Sequence, residues 1–156
     1  VEEQVAHTIR QGAVCLYGGH RHGAFFEPTI LTGITSEMDV ATDMEIFGPV
    51  FSVIPVASPQ EAVDIANSSR YGLSGAVFSS NVALALSVAQ QLETATVAIN
   101  GGTDCRTPEL AFGGYKKSGI GREGISRTLD EMTQEKNFVM KGVFGVLREH
   151  SLEGQK

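Results

Sequence analysis

The sequence predicts an α/β domain: a layered, mostly parallel sheet with helices packed on it. Three observations carry that class. Short apolar runs of strand length alternate with longer segments whose aliphatic residues recur every four positions. Ser58-Pro59-Gln60-Glu61 writes a helix start directly after one such run. From Val50 to Ile99 the order is strand, helix, strand, helix, strand, a pattern that calls for parallel pairing through right-handed crossovers.

Val1, Val5 and Ile9 share one face of a first helix, and Gly12 supplies its stop. Ala13 to Tyr17 is a short buried strand closed by Gly18-Gly19, with Cys15 as a structural side chain. His20-Arg21-His22-Gly23 is a polar loop; neither histidine has a partner at metal-site spacing, so no metal is expected. Phe25 to Leu31 is a strand interrupted by Pro28, which favours an edge or a bend. Val50 to Val56 is the next strand. Ser58 then acts as N-cap, with Pro59 in the first turn and Glu61 three residues after the cap. Ala62, Ile65 and Ala66 form the inner face of that helix. Asn67-Ser68-Ser69 matches a glycosylation sequon but reads better as a helix end. Ser74–Phe78 is a strand. Asn81 to Glu93 is a helix with Leu84, Val88 and Leu92 on one face, and Thr96–Ile99 is a further strand. Asn100 to Gly124 is a long glycine-rich stretch of the kind that is usually functional when it sits inside a compact domain. A helix over Glu123–Met132 and a short strand over Asn137–Met140 follow. The expected organisation is therefore a body over 1–134, a strand over 135–141 and a tail over 142–156.

Composition bounds the function. The 156 residues are 42% hydrophobic and 19% charged, ordinary values for a globular chain. The net charge of −6 gives no basic surface for nucleic acid. No apolar run approaches the ~20 residues of a membrane helix. Two cysteines make no disulfide framework and no secretory signal is visible, so the expected setting is cytoplasmic. The chain opens at Val1 inside a helical pattern, which is expected of a piece of something longer.

Gly119-Ile120-Gly121-Arg122-Glu123-Gly124 satisfies G-x-G-x-x-G, but its context is wrong for dinucleotide binding. That motif needs a hydrophobic strand before it and an acidic residue about twenty positions on. Tyr115-Lys116-Lys117-Ser118 precedes it here, and Phe144 stands where the acid belongs. A glycine-rich turn feeding a helix start accounts for it.

The most informative stretch is Glu45-Ile46-Phe47-Gly48-Pro49. If it is extended, a carboxylate and an aromatic ring two residues apart point to one side, an arrangement suited to a vicinal diol bearing a planar ring. The competing reading is a turn entering a strand with Phe47 in the core. Taken with Asn67-Ser68-Ser69-Arg70-Tyr71-Gly72-Leu73, Val97-Ala98-Ile99-Asn100 and Phe112-Gly113-Gly114-Tyr115-Lys116-Lys117-Ser118-Gly119-Ile120-Gly121-Arg122-Glu123-Gly124, it resembles in order and spacing the C-terminal part of the catalytic domain of the NAD(P)-dependent aldehyde dehydrogenase superfamily.

The resemblance implies the following. Glu45 binds the nicotinamide-ribose hydroxyls and Phe47 packs beside the nicotinamide, with NAD or NADP as cofactor. The reaction oxidises an aldehyde to a carboxylic acid through a cysteine thioester. No G-Q-x-C context occurs here, so the nucleophile, the general-base glutamate and the dinucleotide domain are expected upstream of Val1, with no catalytic residue in this chain. The loop from Asn100 to Phe112 lines the substrate mouth, with Cys105 and Arg106 as substrate-binding candidates. Arg106 falls where many members carry an aromatic, and Asp104-Cys105-Arg106 is closer to the branch resembling phosphonoacetaldehyde and lactaldehyde dehydrogenases. A guanidinium fork suits an anionic aldehyde; the other reading is a surface Arg paired with Asp104 or Glu109. Ala111 departs from the proline common before F-G-G. The strand near Phe138 joins a sheet across a subunit boundary, implying a homodimer or homotetramer. An alternative function is a non-catalytic truncated homologue that serves as a subunit-interaction module.

Overall fold

A computed structural model describes residues 1–142; the expected tail otherwise lies outside the described residues. Helix α1 (Glu2–Arg10) buries Val5 and Thr8, while Ile9 stays 41% exposed. The buried face thus runs through Thr8, whose hydroxyl is satisfied by donating to the Gln4 carbonyl at 2.9 Å. Strand β1 (Val14–Tyr17) is mostly exposed rather than buried as expected; only Cys15 is half-covered. The polar loop is in fact a hairpin. β2 (Arg21–His22) pairs antiparallel with β3 (Phe25–Phe26) about Gly23, which takes φ +65°. The expected Phe25–Leu31 strand divides at Pro28, and β4 (Thr29–Thr32) resumes after it.

Short α2 (Asp39–Thr42) leads to β5 (Val50–Ser52). β1, β4 and β5 form one sheet, antiparallel between β1 and β4 and parallel between β4 and β5. Val5, Ala13, Leu31, Ile34 and Met38 make the core beneath it.

Helix α3 (Pro59–Ser68) begins as its sequence dictates. Ser58 Oγ accepts from the Glu61 N–H at 3.1 Å, and Glu61 reaches back to the Ala57 N–H at 2.6 Å. β6 (Tyr71–Gly72), β7 (Ser74–Val77), α4 (Val82–Gln91) and β8 (Thr96–Ile99) follow. β7 and β8 are parallel, as a strand–helix–strand unit requires. Val63 and Ala85 are the buried residues of α3 and α4, whereas Leu84 is 42% exposed. The α/β class therefore stands, but the strands are divided among small sheets, and antiparallel pairs join the two parallel ones among the described residues.

The glycine-rich stretch is ordered by long-range pairing. β9 (Tyr115–Lys116) pairs antiparallel with β6, and Phe112 bridges Glu123. α5 (Ile125–Met132) starts after Gly124, at φ +137°. Asn137–Met140 belongs to no strand within the described residues, and Phe138, Val139 and Met140 are exposed.

Candidate functional site

The Glu45 stretch leaves α2 and is anchored on both flanks. Gln4 Nε2 donates to the Glu45 carbonyl at 2.9 Å, and the Thr29 N–H donates to the Pro49 carbonyl at 2.8 Å. The Gly48 N–H donates to the Ile46 carbonyl at 2.9 Å, a three-residue turn with Phe47 at its apex. That turn puts the Phe47 ring out in solvent at 82% exposure, so Phe47 is not a core residue. Gly48 lies against Val1, and a Cβ there would come within 2.6 Å of its side chain.

Glu45 lines a cleft of about 790 Å³. Thr42 to Met44 flank it at the rim, Ala62 and Ala66 come from α3, and Leu73 to Phe78 come from β7 and its ends. Lys117 and Ser118 of the glycine-rich stretch also face it. Phe47 is not among the lining residues. Among the described residues the Glu45 carboxylate makes no hydrogen bond or ion pair. A free, acceptor-only group at a largely apolar cleft fits a vicinal diol, and an exposed ring two residues on fits a planar partner.

Arg106 lies elsewhere. A second cleft, about 680 Å³, is lined by Arg106, Pro108, Leu110, Phe112, Glu123 and Thr128, and Glu45 does not reach it. Arg106 Nη2 donates to Glu123 Oε2 at 2.7 Å, and its guanidinium carbon sits 3.9 Å from the Phe112 ring centre. Neither Asp104 nor Glu109 is its ion-pair partner. Cys105 is exposed and does not line this cleft. Glu109, one turn away, has its carboxyl held below the ordinary value, first by the Thr107 hydroxyl and then by its own backbone N–H.

Sequence reasoning missed the turn that joins these parts. Lys116, in the left-handed region at φ +52°, extends Nζ to the Asn67 carbonyl at 2.7 Å, the Ser69 carbonyl at 2.9 Å and Glu93 Oε2 at 2.7 Å. The Lys117 N–H donates to the Arg70 carbonyl, and the Gly72 N–H donates to Ser118 Oγ, each at 2.9 Å. Gly113 and Gly114 allow the close fold-back, since a Cβ on either would lie 2.5 Å from the backbone of Gly121 or Ser118. Asn67 is also fully engaged: it donates to the Gln91 carbonyl and accepts from the Glu93 N–H, each at 2.8 Å, as a helix end should. Asn100 clamps β8 to the end of β7 by exchanging two bonds with Ser79, at 2.8 and 3.0 Å. The only hint of these contacts in the sequence is polar residues embedded in glycine-rich turns.

The separated segments Asn67–Leu73 and Phe112–Gly124 converge on one turn beside an open cleft of the α/β scaffold. The family model of the aldehyde dehydrogenase family matches residues 1–138, and the chain belongs to that family. It is 34% identical over 143 residues to the lactaldehyde dehydrogenase of Methanococcus maripaludis, covering 92% of this chain and 30% of the relative. The crystal structure of glyceraldehyde-3-phosphate dehydrogenase from Methanocaldococcus jannaschii complexed with NADP superposes with a TM-score of 0.83 at 37% identity, over 89% of this chain and 30% of that one. Aldehyde dehydrogenase 21 from Physcomitrella patens, in complex with the reaction product succinate, gives a TM-score of 0.83 at 34% identity, over 91% and 29%. The chain thus spans about 30% of the length of the curated relatives it matches.

Proposed function

We propose that this chain is the C-terminal part of the catalytic domain of an NAD(P)-dependent aldehyde dehydrogenase, which oxidises an aldehyde to a carboxylic acid through a cysteine thioester. The nucleophile and the general-base glutamate then belong to the part of the protein upstream of this chain. The bound NAD(P) supplies the hydride acceptor. Glu45 accepts hydrogen bonds from the nicotinamide-ribose hydroxyls, and Phe47 offers its exposed ring to the nicotinamide. The observation that carries this reading is the free Glu45 carboxylate at the cleft rim, within a family match that runs from residue 1 to 138. Relatives complexed with NADP and with NAD support both cofactors equally.

Arg106 and Cys105 belong to the substrate side, and the aldehyde is anionic. The Arg106 guanidinium beside Phe112 supports that, and so do relatives named for glyceraldehyde-3-phosphate and crystallised with succinate. The protein is a cytoplasmic homo-oligomer whose exposed Phe138-Val139-Met140 segment pairs across a subunit boundary. No helix among the described residues is long and apolar enough to cross a membrane.

The test uses the complete natural protein that carries this chain. It is expected to form NAD(P)H when given aldehyde, and Glu45→Gln is expected to raise the cofactor KM about tenfold, the loss of charge-assisted bonds to a diol. A complete protein that assembles but forms no NAD(P)H across neutral and anionic aldehydes overturns this reading in favour of the subunit-interaction module.

A further inference from the structure

Asp43 is the C-cap of the one-turn helix α2, and its carboxylate is fully engaged. Asp43 Oδ1 accepts from the Arg70 N–H at 2.9 Å and from the Ser69 hydroxyl at 3.3 Å, and Oδ2 faces the Arg70 guanidinium at 3.4 Å. Ser69 Oγ accepts in turn from the Tyr71 N–H at 3.1 Å. This is the same turn that Lys116, Lys117 and Ser118 hold from the glycine-rich stretch. Two residues beyond Asp43 stands Glu45, whose own carbonyl is tied to Gln4. Residues 43 to 45 are therefore pinned at both ends, and of those two pins only Asp43 ties them to the turn at Ser69–Tyr71.

We infer that Asp43 is a positioning residue for the nicotinamide-ribose site: it fixes the backbone from which Glu45 projects and ties it to the Ser69–Tyr71 turn. The inference rests on the reading of Glu45 as the diol acceptor. A carboxylate that must be ordered on binding loses affinity to that ordering, whereas a segment already pinned does not. Severing the Asp43 contacts weakens the cofactor and leaves the aldehyde side, in the other cleft, unaffected. A purely architectural role would lower the yield of folded enzyme and kcat without moving the cofactor KM.

The complete enzyme is the material. Asp43→Ala is expected to raise the cofactor KM, and the dissociation constant of NAD(P)H followed by its fluorescence in the absence of aldehyde, about five- to tenfold, with the aldehyde KM at saturating cofactor changed by less than about twofold. Asp43→Asn keeps the Oδ1 acceptor for Ser69 and Arg70 and is expected to return the cofactor KM to within about twofold of the parent. Should Asp43→Ala fail to fold, Asp43→Ser, whose shorter side chain withdraws the acceptor from residue 70, carries the same expectation. Glu45→Gln is measured beside them. If Glu45→Gln leaves the cofactor KM unchanged, the reading of Glu45 fails and takes the inference with it. If Glu45→Gln raises that KM while Asp43→Ala or Asp43→Ser leaves it unchanged, or raises both KM values alike, or if Asp43→Asn loses as much as Asp43→Ala, the inference alone is overturned.

Discussion

Arg106 offers the sharpest test of substrate class, because the structure sets how much of its binding energy is already committed. A guanidinium that grips a carboxylate or phosphate of the substrate contributes about 1.5–3 kcal/mol through charge-assisted bonds. Arg106 is not idle, however. It bonds Glu123 at 2.7 Å and lies over Phe112. Arg106 is 56% and Glu123 74% solvent-exposed on their side chains, so their pair is worth no more than about 0–1 kcal/mol. An anion that recruits Arg106 must displace or share that partner. The net contribution is therefore about 0.5–3 kcal/mol, or roughly two- to 150-fold in KM. Arg106→Ala in the complete enzyme is expected to raise KM by that factor for aldehydes bearing phosphate or carboxylate, and to leave neutral aldehydes within about twofold, because the Phe112 wall remains. Steady-state assays on matched anionic and neutral aldehydes read the difference directly. Equal effects on the two classes would refute the anion role and leave Arg106 as the surface partner of Glu123.

Two further predictions concern the glycine-rich stretch. Lys116→Met keeps the stem and the left-handed backbone but removes the ammonium from two carbonyls and Glu93; the expected loss is about 1–3 kcal/mol, read as faster amide exchange over residues 67–72 in the complete protein, and unchanged exchange would contradict it. Because the Glu109 carboxyl is held below its ordinary value in the fold, its contribution to loop order is present above that value and is lost as pH falls through the depressed one. Thr107→Ala is expected to move the Glu109 titration back up toward the ordinary range, as followed by side-chain carboxyl NMR; a titration that stays in place would rule out the Thr107 hydroxyl as the main cause.

Much of the scaffold was legible because its causes are local. The start of α3 follows from Ser58, Pro59 and Glu61 within one turn of chain, and the structure shows Ser58 accepting from the Glu61 N–H and Glu61 from the Ala57 N–H. The parallel pairing of β7 with β8 follows from the helix between them. The refusal of Gly119–Gly124 as a dinucleotide fingerprint also stands on context: the strand before it is the two-residue β9, paired to β6. The β2–β3 hairpin escaped notice because its polar residues carry no apolar alternation, only a Gly23 that turns it. Helix faces were misjudged where the partner decides burial: Thr8 is inside while Ile9 is not, and Ala85 is inside while Leu84 is not.

The amino-acid order by itself determined the α/β class, the starts of α3 and α4 and the family, since caps, periodicities and motifs are written into neighbouring residues. Which charges meet was decided only by the folded path. Arg106 finds Glu123, 17 residues away, in preference to the nearer Asp104 and Glu109. Asp43 finds Arg70 across 27 residues, and Lys116 finds Ser69 across 47. Ion pairs and capping bonds act over a few ångströms of space rather than of chain, so a pair distant in the sequence exists only once the turns between its members have brought it together.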